Sequence, residues 1–153
     1  MILSEEIKSR IYAEAERTYP DEGCGVVLGV VSAGREAKEF VALQNKQNEM
    51  HARDPKRYPR DAKTAYMIDP KEWQQIENQA RSKGMEIISI FHSHPEHGVY
   101  FSDEDKGMAA PWGEPLFPNQ SYMVVSVYGG QVKNASEFVW NSEKKDFIEQ
   151  VIL

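Results

Sequence analysis

Apolar residues follow a helical period in two stretches of the chain. In the first, a serine that can cap a helix precedes apolar residues four positions apart, namely Ser4 before Ile7, Ile11, Ala15 and Tyr19. In the second, Asp69 can cap a helix that begins at Pro70 and is closed by Gly84, with Trp73, Ile76 and Ala80 on one face. The pattern predicts two amphipathic helices, the first ending before Pro20.

Short apolar runs rich in β-branched residues predict the strands. Residues 24–31 form such a run, and a turn at 32–35 leads to a hairpin partner at 38–43. Further strands are predicted at 66–68, at 86–91, at 121–128 and at 133–140, and Ser102 can cap a short helix over 103–108. This order predicts an α/β fold for residues 1–153, a single layered domain with a mixed β-sheet flanked by helices.

Two segments have patterns that allow more than one interpretation. Residues 44–65 are polar, include Pro55 and Pro59, and predict a long loop, which in a compact domain is often functional. Asn45, Asn48 and residues 58–66 either line a groove for an extended substrate or belong to a solvated loop. The tail at 147–153 fits an edge strand or a helical turn.

Composition and charge exclude several classes of protein. A formal charge of −6 and dispersed basic residues disfavour nucleic acid as a partner. The longest apolar runs are far shorter than the ~20 residues that span a bilayer, and the first residues lack the pattern of a signal peptide. The single cysteine, Cys24, cannot form an internal disulfide. We therefore expect a cytoplasmic protein without a membrane partner; the sequence does not indicate its oligomeric state.

Residues 91–105 contain the most informative chemistry. His92 and His94 project from the same face of a strand because side chains alternate with a period of two. Asp105 lies in the first turn of the following predicted helix and can reach the same ion. Two histidines beside a proline turn are often incidental surface residues, but the strand, the cap residue and the carboxylate together favour a metal site. Two nitrogens and one oxygen suit zinc with a fourth position open for water, which is typical of a catalytic site.

The spacing of these residues resembles the JAMM signature of MPN-domain metalloproteases. The match consists of His92, His94, Pro95, Ser102 and Asp105, and the segment around Glu22 resembles the family's glutamate between the first helix and the first strand. The resemblance extends from the first helix through Tyr128. It implies the cytidine-deaminase-like MPN fold of a mixed sheet with flanking helices.

The resemblance also implies a role for each residue of the motif. His92, His94 and Asp105 would bind one Zn²⁺ ion whose fourth ligand is water, and Glu22 would be the general base. Ser102 would stabilise the oxyanion, although it is also a plain helix cap. Only the match to the motif distinguishes Glu22 from Asp21 or Glu14.

Other reactive residues fit simpler roles. Cys24 lies in an apolar strand and is expected to pack as a small hydrophobe rather than act as a nucleophile. His97 is an alternative ligand but falls in a glycine-containing loop, where a solvent-facing or substrate-side position is expected. Ser93 faces the opposite side of its strand and is expected to pack or to form a hydrogen bond. His51 has no evident partner in the sequence.

The compact chain resembles the prokaryotic branch of the family, which includes peptidases that trim residues after the Gly-Gly end of ubiquitin-fold sulfur-carrier proteins. We therefore expect a zinc metallopeptidase or isopeptidase that acts on a ubiquitin-like or sulfur-carrier protein. The alternative is a non-enzymatic MPN scaffold, but such scaffolds have lost ligands that are all present here. A zinc deaminase is excluded because its cysteine ligands require more than one cysteine.

Overall fold

A computed structural model describes residues 1–153, which form four helices and six strands. In chain order these are α1 (Glu5–Thr18), β1 (Cys24–Val31), β2 (Arg35–Leu43), α2 (Gln47–Arg53), α3 (Pro70–Ser82), β3 (Glu86–Pro95), α4 (Asp103–Ala109), β4 (Ser121–Tyr128), β5 (Gln131–Asn141) and β6 (Asp146–Val151).

All six strands belong to one sheet in the order β2-β1-β3-β4-β5-β6. Hairpin partners and the central β1–β3 pair run antiparallel, whereas β3 and β4 run parallel. A parallel pair needs a crossover, and the connection that contains α4 supplies it. The predicted α/β fold with a mixed sheet flanked by helices is therefore confirmed.

The helices cover both faces of the sheet. Ile11 and Ala15 of α1 pack on one face against Phe40 and Phe91. On the other face, α3 packs Ile76 and Ala80 against β1, while α4 contributes Ala109 to an aromatic cluster that also contains Phe101, Tyr122, Phe138 and Phe147. Residues of β3 that point to this second face lie beneath α3 and α4, and the candidate site is on that face.

Both predicted helix starts have the expected caps. The Ser4 hydroxyl accepts a hydrogen bond from the amide of Ile7, and the Asp69 carboxylate accepts one from Lys71 at 2.8 Å. These bonds satisfy amides that the first helical turn leaves without a partner. No helix combines the length and the apolar character needed to cross a membrane.

The structure corrects the predicted elements at three places. Residues 47–53 form helix α2 within the segment predicted to be a loop; its only buried residue is the polar Gln47, so it has no apolar period to detect. Residues 66–68 belong to no strand. Strand β3 continues through both histidines to Pro95 instead of ending at His92. The tail, left open by its pattern, forms edge strand β6.

Candidate metal centre

Three candidate ligands meet at the carboxyl end of β3. His92 and His94 point to the α3–α4 face, and their Nε2 atoms are 3.1 Å apart. The Oδ2 atom of Asp105, on α4, is 3.6 Å from Nε2 of His92. All three ligand atoms lie within 4.8 Å of one another, so the side chains can bind one cation together. The sequence predicted this group, and the structure brings it together.

The start of α4 fixes the position of Asp105. The hydroxyl of Ser102 accepts a hydrogen bond from the Asp105 amide at 3.0 Å and donates one to Asp105 Oδ2 at 2.6 Å. The Ser102 amide donates to the same carboxylate oxygen at 3.0 Å, which completes a capping box. Ser102 is therefore the helix cap and also orients the carboxylate.

The two histidine rings are held in different ways. Nδ1 of His94 lies 3.0 Å from the carbonyl oxygen of Gly98, which assigns its proton to Nδ1 and leaves Nε2 free to bind a metal. His92 has no such partner at Nδ1. Its ring stacks on Tyr66 at a centroid distance of 4.6 Å and an interplanar angle of 20°. Stacking therefore takes the place of a hydrogen bond in orienting His92.

Glu22 lies opposite His94 just before β1 begins. In the antiparallel β1–β3 pair, Cys24 lies opposite His92. Two hydrogen bonds join the preceding residue, Gly23, to Ser93. The Gly23 amide donates to Ser93 Oγ at 2.7 Å, and the Ser93 amide donates to the Gly23 carbonyl at 3.0 Å. Directly opposite residues of antiparallel strands project to the same face, so this register places the Glu22 side chain on the face that bears the histidines. The Ser93 hydroxyl thus forms the hydrogen bond that its orientation predicted.

Burial sets the ionisation of Glu22. The side chain is 6% exposed, and burial raises the pKa of its carboxyl from 4.5 to about 7, although the charge of His92 counteracts part of this effect. A carboxyl with this pKa is present in both protonation states near neutral pH. It can therefore both accept and donate a proton under physiological conditions.

Two of the three ligands, His94 and Asp105, are in the states that metal binding requires. Burial, reinforced by the neighbouring His92, lowers the pKa of His94 to about 4, so its ring is neutral at pH 7. Burial opposes ionisation of Asp105, but the close approach and charge of His92 and two hydrogen bonds from Ser102 together outweigh it and hold the pKa of this carboxyl below its usual range. Burial lowers the pKa of His92, but the close approach and charge of Asp105 together with the charge of Glu22 raise it by more, so a metal ion would compete with a proton at His92.

Residues 44–69 form one wall of the site. The sequence did not predict the contacts by which this segment reaches Glu22, His92 and α4. Asn45 and Asn48 hydrogen-bond to the backbone of this segment, Asn45 also to the Glu22 carbonyl and Asn48 also to the Asp21 carboxylate. Arg60 forms an ion pair of 2.7 Å with Glu104, the neighbour of Asp105 on α4. Tyr66 stacks on His92. The polarity and length of the segment were the only signals in the sequence.

The remaining reactive residues lie outside the cluster of ligands. Cys24 is fully buried, and burial raises the pKa of its thiol to about 12, so it packs as an inert small side chain. His97 is exposed and is not one of the converging ligands. His51, without an evident partner in the sequence, lies with Nδ1 2.6 Å from the Tyr58 carbonyl oxygen within the 44–69 wall.

A comparison with known protein families shows to which family the chain belongs. The Prok-JAB family, described as prokaryotic homologs of the JAB domain, matches residues 4–142. The chain belongs to this family. The resemblance to JAMM proteins with an MPN domain is thereby confirmed, and the match covers every element from α1 to the end of β5; only strand β6 lies beyond it. The JAB-domain family includes hydrolases.

Solved structures agree with the fold of this JAB-domain protein. A protein from Desulfitobacterium hafniense, 22% identical, has a TM-score of 0.73, and the alignment covers 100% of this chain and 92% of that one. A protein from Salinibacter ruber strain DSM 13855, also 22% identical, has a TM-score of 0.69 with coverage of 100% and 90%. These identities support the shared fold alone. A comparison with curated protein sequences found no match.

Proposed function

We propose that this JAB-domain protein is a zinc-dependent metallopeptidase or isopeptidase that hydrolyses the bond after the C-terminal Gly-Gly tail of a ubiquitin-fold protein, in particular a sulfur carrier. The observation that carries the proposal is the convergence of His92, His94 and Asp105 beside the buried carboxyl of Glu22.

The ligand geometry supports zinc as the metal. Zn²⁺ binds nitrogen and oxygen at about 2.0–2.2 Å, so ligand atoms at two corners of a tetrahedron lie about 3.3 Å apart. The separations of 3.1 Å from His92 to His94 and 3.6 Å from His92 to Asp105 are close to that value, and all three ligand atoms lie within 4.8 Å of one another, so Zn²⁺ would draw the third pair closer. Three protein ligands leave one corner open, as in catalytic rather than structural zinc sites.

The chain would supply the proton transfers and the orientation. When bound, zinc supplies a Lewis acid that acidifies water toward a pKa of about 7 and polarises the scissile carbonyl. Glu22 takes a proton from the attacking water and delivers it to the leaving amine, which a carboxyl with a pKa of about 7 can do in both directions. Ser102 orients Asp105; to stabilise the oxyanion, its hydroxyl would have to turn away from that carboxylate.

The depth of the site supports a slender substrate. The side chains of His92, His94 and Glu22 are between 1% and 6% exposed. A backbone that reaches them has little space for side chains, and glycine, which lacks Cβ, permits the closest approach. A Gly-Gly tail that extends from a folded domain has this shape. The selectivity of the site would then come from its narrow access.

A cleavage assay with matched variants tests the proposal. The zinc-loaded protein is incubated with a ubiquitin-fold sulfur carrier that has a short peptide after its Gly-Gly tail, and with the same carrier ending in Ala-Ala before that peptide. We expect cleavage after Gly-Gly and much slower cleavage after Ala-Ala. The variant Glu22→Ala should keep one zinc per chain but lose cleavage, whereas His94→Ala should lose the zinc.

Each alternative result has a distinct meaning. A zinc-loaded wild-type protein that leaves every Gly-Gly-extended carrier intact would refute the peptidase assignment. A protein that contains no zinc when purified and takes up none from solution would refute the zinc site and favour a scaffold. Equal cleavage of the Gly-Gly and Ala-Ala tails would refute the narrow-access explanation.

A further inference from the structure

Asn45 uses the full hydrogen-bonding capacity of its side chain. Its amide nitrogen donates to the carbonyl of Glu22 at 2.9 Å and to the carbonyl of Ala65 at 3.0 Å. Its amide oxygen accepts from the amides of Gln47 at 2.9 Å and Met67 at 3.0 Å. An asparagine has two donor hydrogens and two acceptor positions, and all four are used here.

These four bonds join three parts of the chain that are distant in sequence. One bond reaches the turn before β1, one reaches the first residue of α2, and two reach the extended segment at 65–67. Each partner is a backbone group, so the side chain of Asn45 acts as a junction between main-chain segments. Residues 65–67 pair with no strand; Asn45 binds this segment at two points, and the Lys46 amide adds one bond to the Met67 carbonyl at 2.8 Å.

The hydrogen bond from Asn45 is the second of two that hold the backbone of Glu22 in place. The Glu22 amide donates to the carbonyl of Ala62 at 2.7 Å, and the Glu22 carbonyl accepts from Asn45. Next to it, Gly23 is bound to Ser93 by two hydrogen bonds. Because peptide groups are planar, holding the amide and the carbonyl of one residue fixes the direction in which its side chain leaves the backbone.

We propose that Asn45 is the positioning residue that holds Glu22 at the metal ligands. The proposal rests on the proposed function for its catalytic consequence. Asn45 touches neither the ligand atoms nor the Glu22 carboxyl; it acts through the Glu22 carbonyl. It also links the orientation of Glu22 to Tyr66, which lies between its partners Ala65 and Met67 and stacks on His92. The side-chain amide of Asn45 thus holds the backbone of Glu22 and also supports Tyr66, which orients the ligand His92.

The variant Asn45→Asp separates this role from general stability. Aspartate has the same shape and keeps the two acceptor bonds to Gln47 and Met67, but as a carboxylate it loses both donors and faces the carbonyls of Glu22 and Ala65. Asn45→Ala removes all four bonds. Asn141→Ala is a matched control, because Asn141 also accepts from two backbone amides but does so in the β5–β6 turn, away from the site.

Cobalt substitution measures the position of Glu22 without any substrate. The protein is loaded with Co²⁺, and the paramagnetic shift of the Glu22 amide proton is compared with that of Val124, which pairs with His92 from β4. We expect the Glu22 shift to change in Asn45→Asp and in Asn45→Ala, with the Val124 shift and the metal content unchanged. Asn141→Ala should reproduce the wild-type shifts.

Kinetics with the Gly-Gly-extended carrier measures the consequence for catalysis. A small displacement of the general base slows the chemical step but leaves the contacts that bind the substrate in place. We therefore expect kcat of Asn45→Asp to fall by about 10- to 100-fold with KM nearly unchanged. An unchanged Glu22 shift in both Asn45 variants would overturn the proposal, as would an equal loss of kcat in Asn141→Ala. If the wild-type protein cleaves nothing, the proposed function fails, and the cobalt shifts still decide whether Asn45 positions Glu22.

Discussion

Replacing Glu22 by glutamine should stabilise the metal-free protein in a pH-dependent way. The hydrogen bonds of Glu22 are formed by its backbone, so the isosteric amide leaves them in place. Burial raises the pKa of the Glu22 carboxyl from 4.5 to about 7, which means that the folded state prefers the protonated form. The stability contributed by this preference is present below pH 4.5 and is lost as the pH rises through 7.

The size of the effect follows from the pKa difference. Each pH unit between the two pKa values changes the free energy of unfolding by about 1.4 kcal/mol. Ionisation of Glu22 therefore destabilises the wild-type fold by about 3 kcal/mol at pH 8 relative to pH 4, and Glu22→Gln avoids this loss. With a urea m-value of about 2 kcal/mol/M, the midpoint of the variant should exceed that of the wild type by about 1.5 M at pH 8.

The assay is urea unfolding of both proteins in chelator at a series of pH values. The difference between them reports the ionisation of Glu22 together with its electrostatic coupling to His92 and Asp105. The control Glu143→Gln, in an exposed turn, should show no pH-dependent difference. Added Zn²⁺ should shrink the advantage of Glu22→Gln, since a nearby cation stabilises the carboxylate. A difference between variant and wild type that stays constant from pH 4 to 8 would refute the reasoning that burial raises this pKa.

Substitutions at three further positions test the remaining supports of the site. Ser102→Ala removes two hydrogen bonds between the Ser102 hydroxyl and Asp105, one of which caps α4. We expect the free energy of unfolding in urea to fall by about 1 kcal/mol and the zinc affinity, measured by calorimetry, to weaken roughly tenfold. An unchanged zinc affinity would contradict the role of Ser102 in orienting Asp105. Gly25→Ala places a Cβ 2.6 Å from a β2 carbonyl oxygen, so the free energy of unfolding should fall by about 2 kcal/mol or more, measured as a lowered unfolding midpoint. An unchanged midpoint would show that β1 and β2 can move apart to accept the methyl group. Tyr66→Phe should retain zinc affinity and Tyr66→Leu should reduce it, because stacking orients His92; equal affinities would exclude that role.

Local patterns in the sequence were sufficient for helices α1, α3 and α4 and for the metal ligands. Helices α1 and α3 have a cap and an apolar face within one short stretch, so contacts within that stretch determine them. His92 and His94 share a face because of the strand period, and Asp105 follows on the capped α4. These relations span few residues, which is why spacing alone reveals them.

Only the tertiary structure decided the features that depend on distant partners. The tail becomes a strand because β5 offers it an open edge, whereas residues 66–68 are bound through Met67 to Asn45 and Lys46 instead of pairing with a strand. Helix α2 is held by polar contacts that leave no apolar period. The pKa of Glu22 depends on burial, and the four bonds of Asn45 depend on chain segments up to 23 residues away. A sequence shows which groups are available, but burial and long-range hydrogen bonds exist only after the chain has folded.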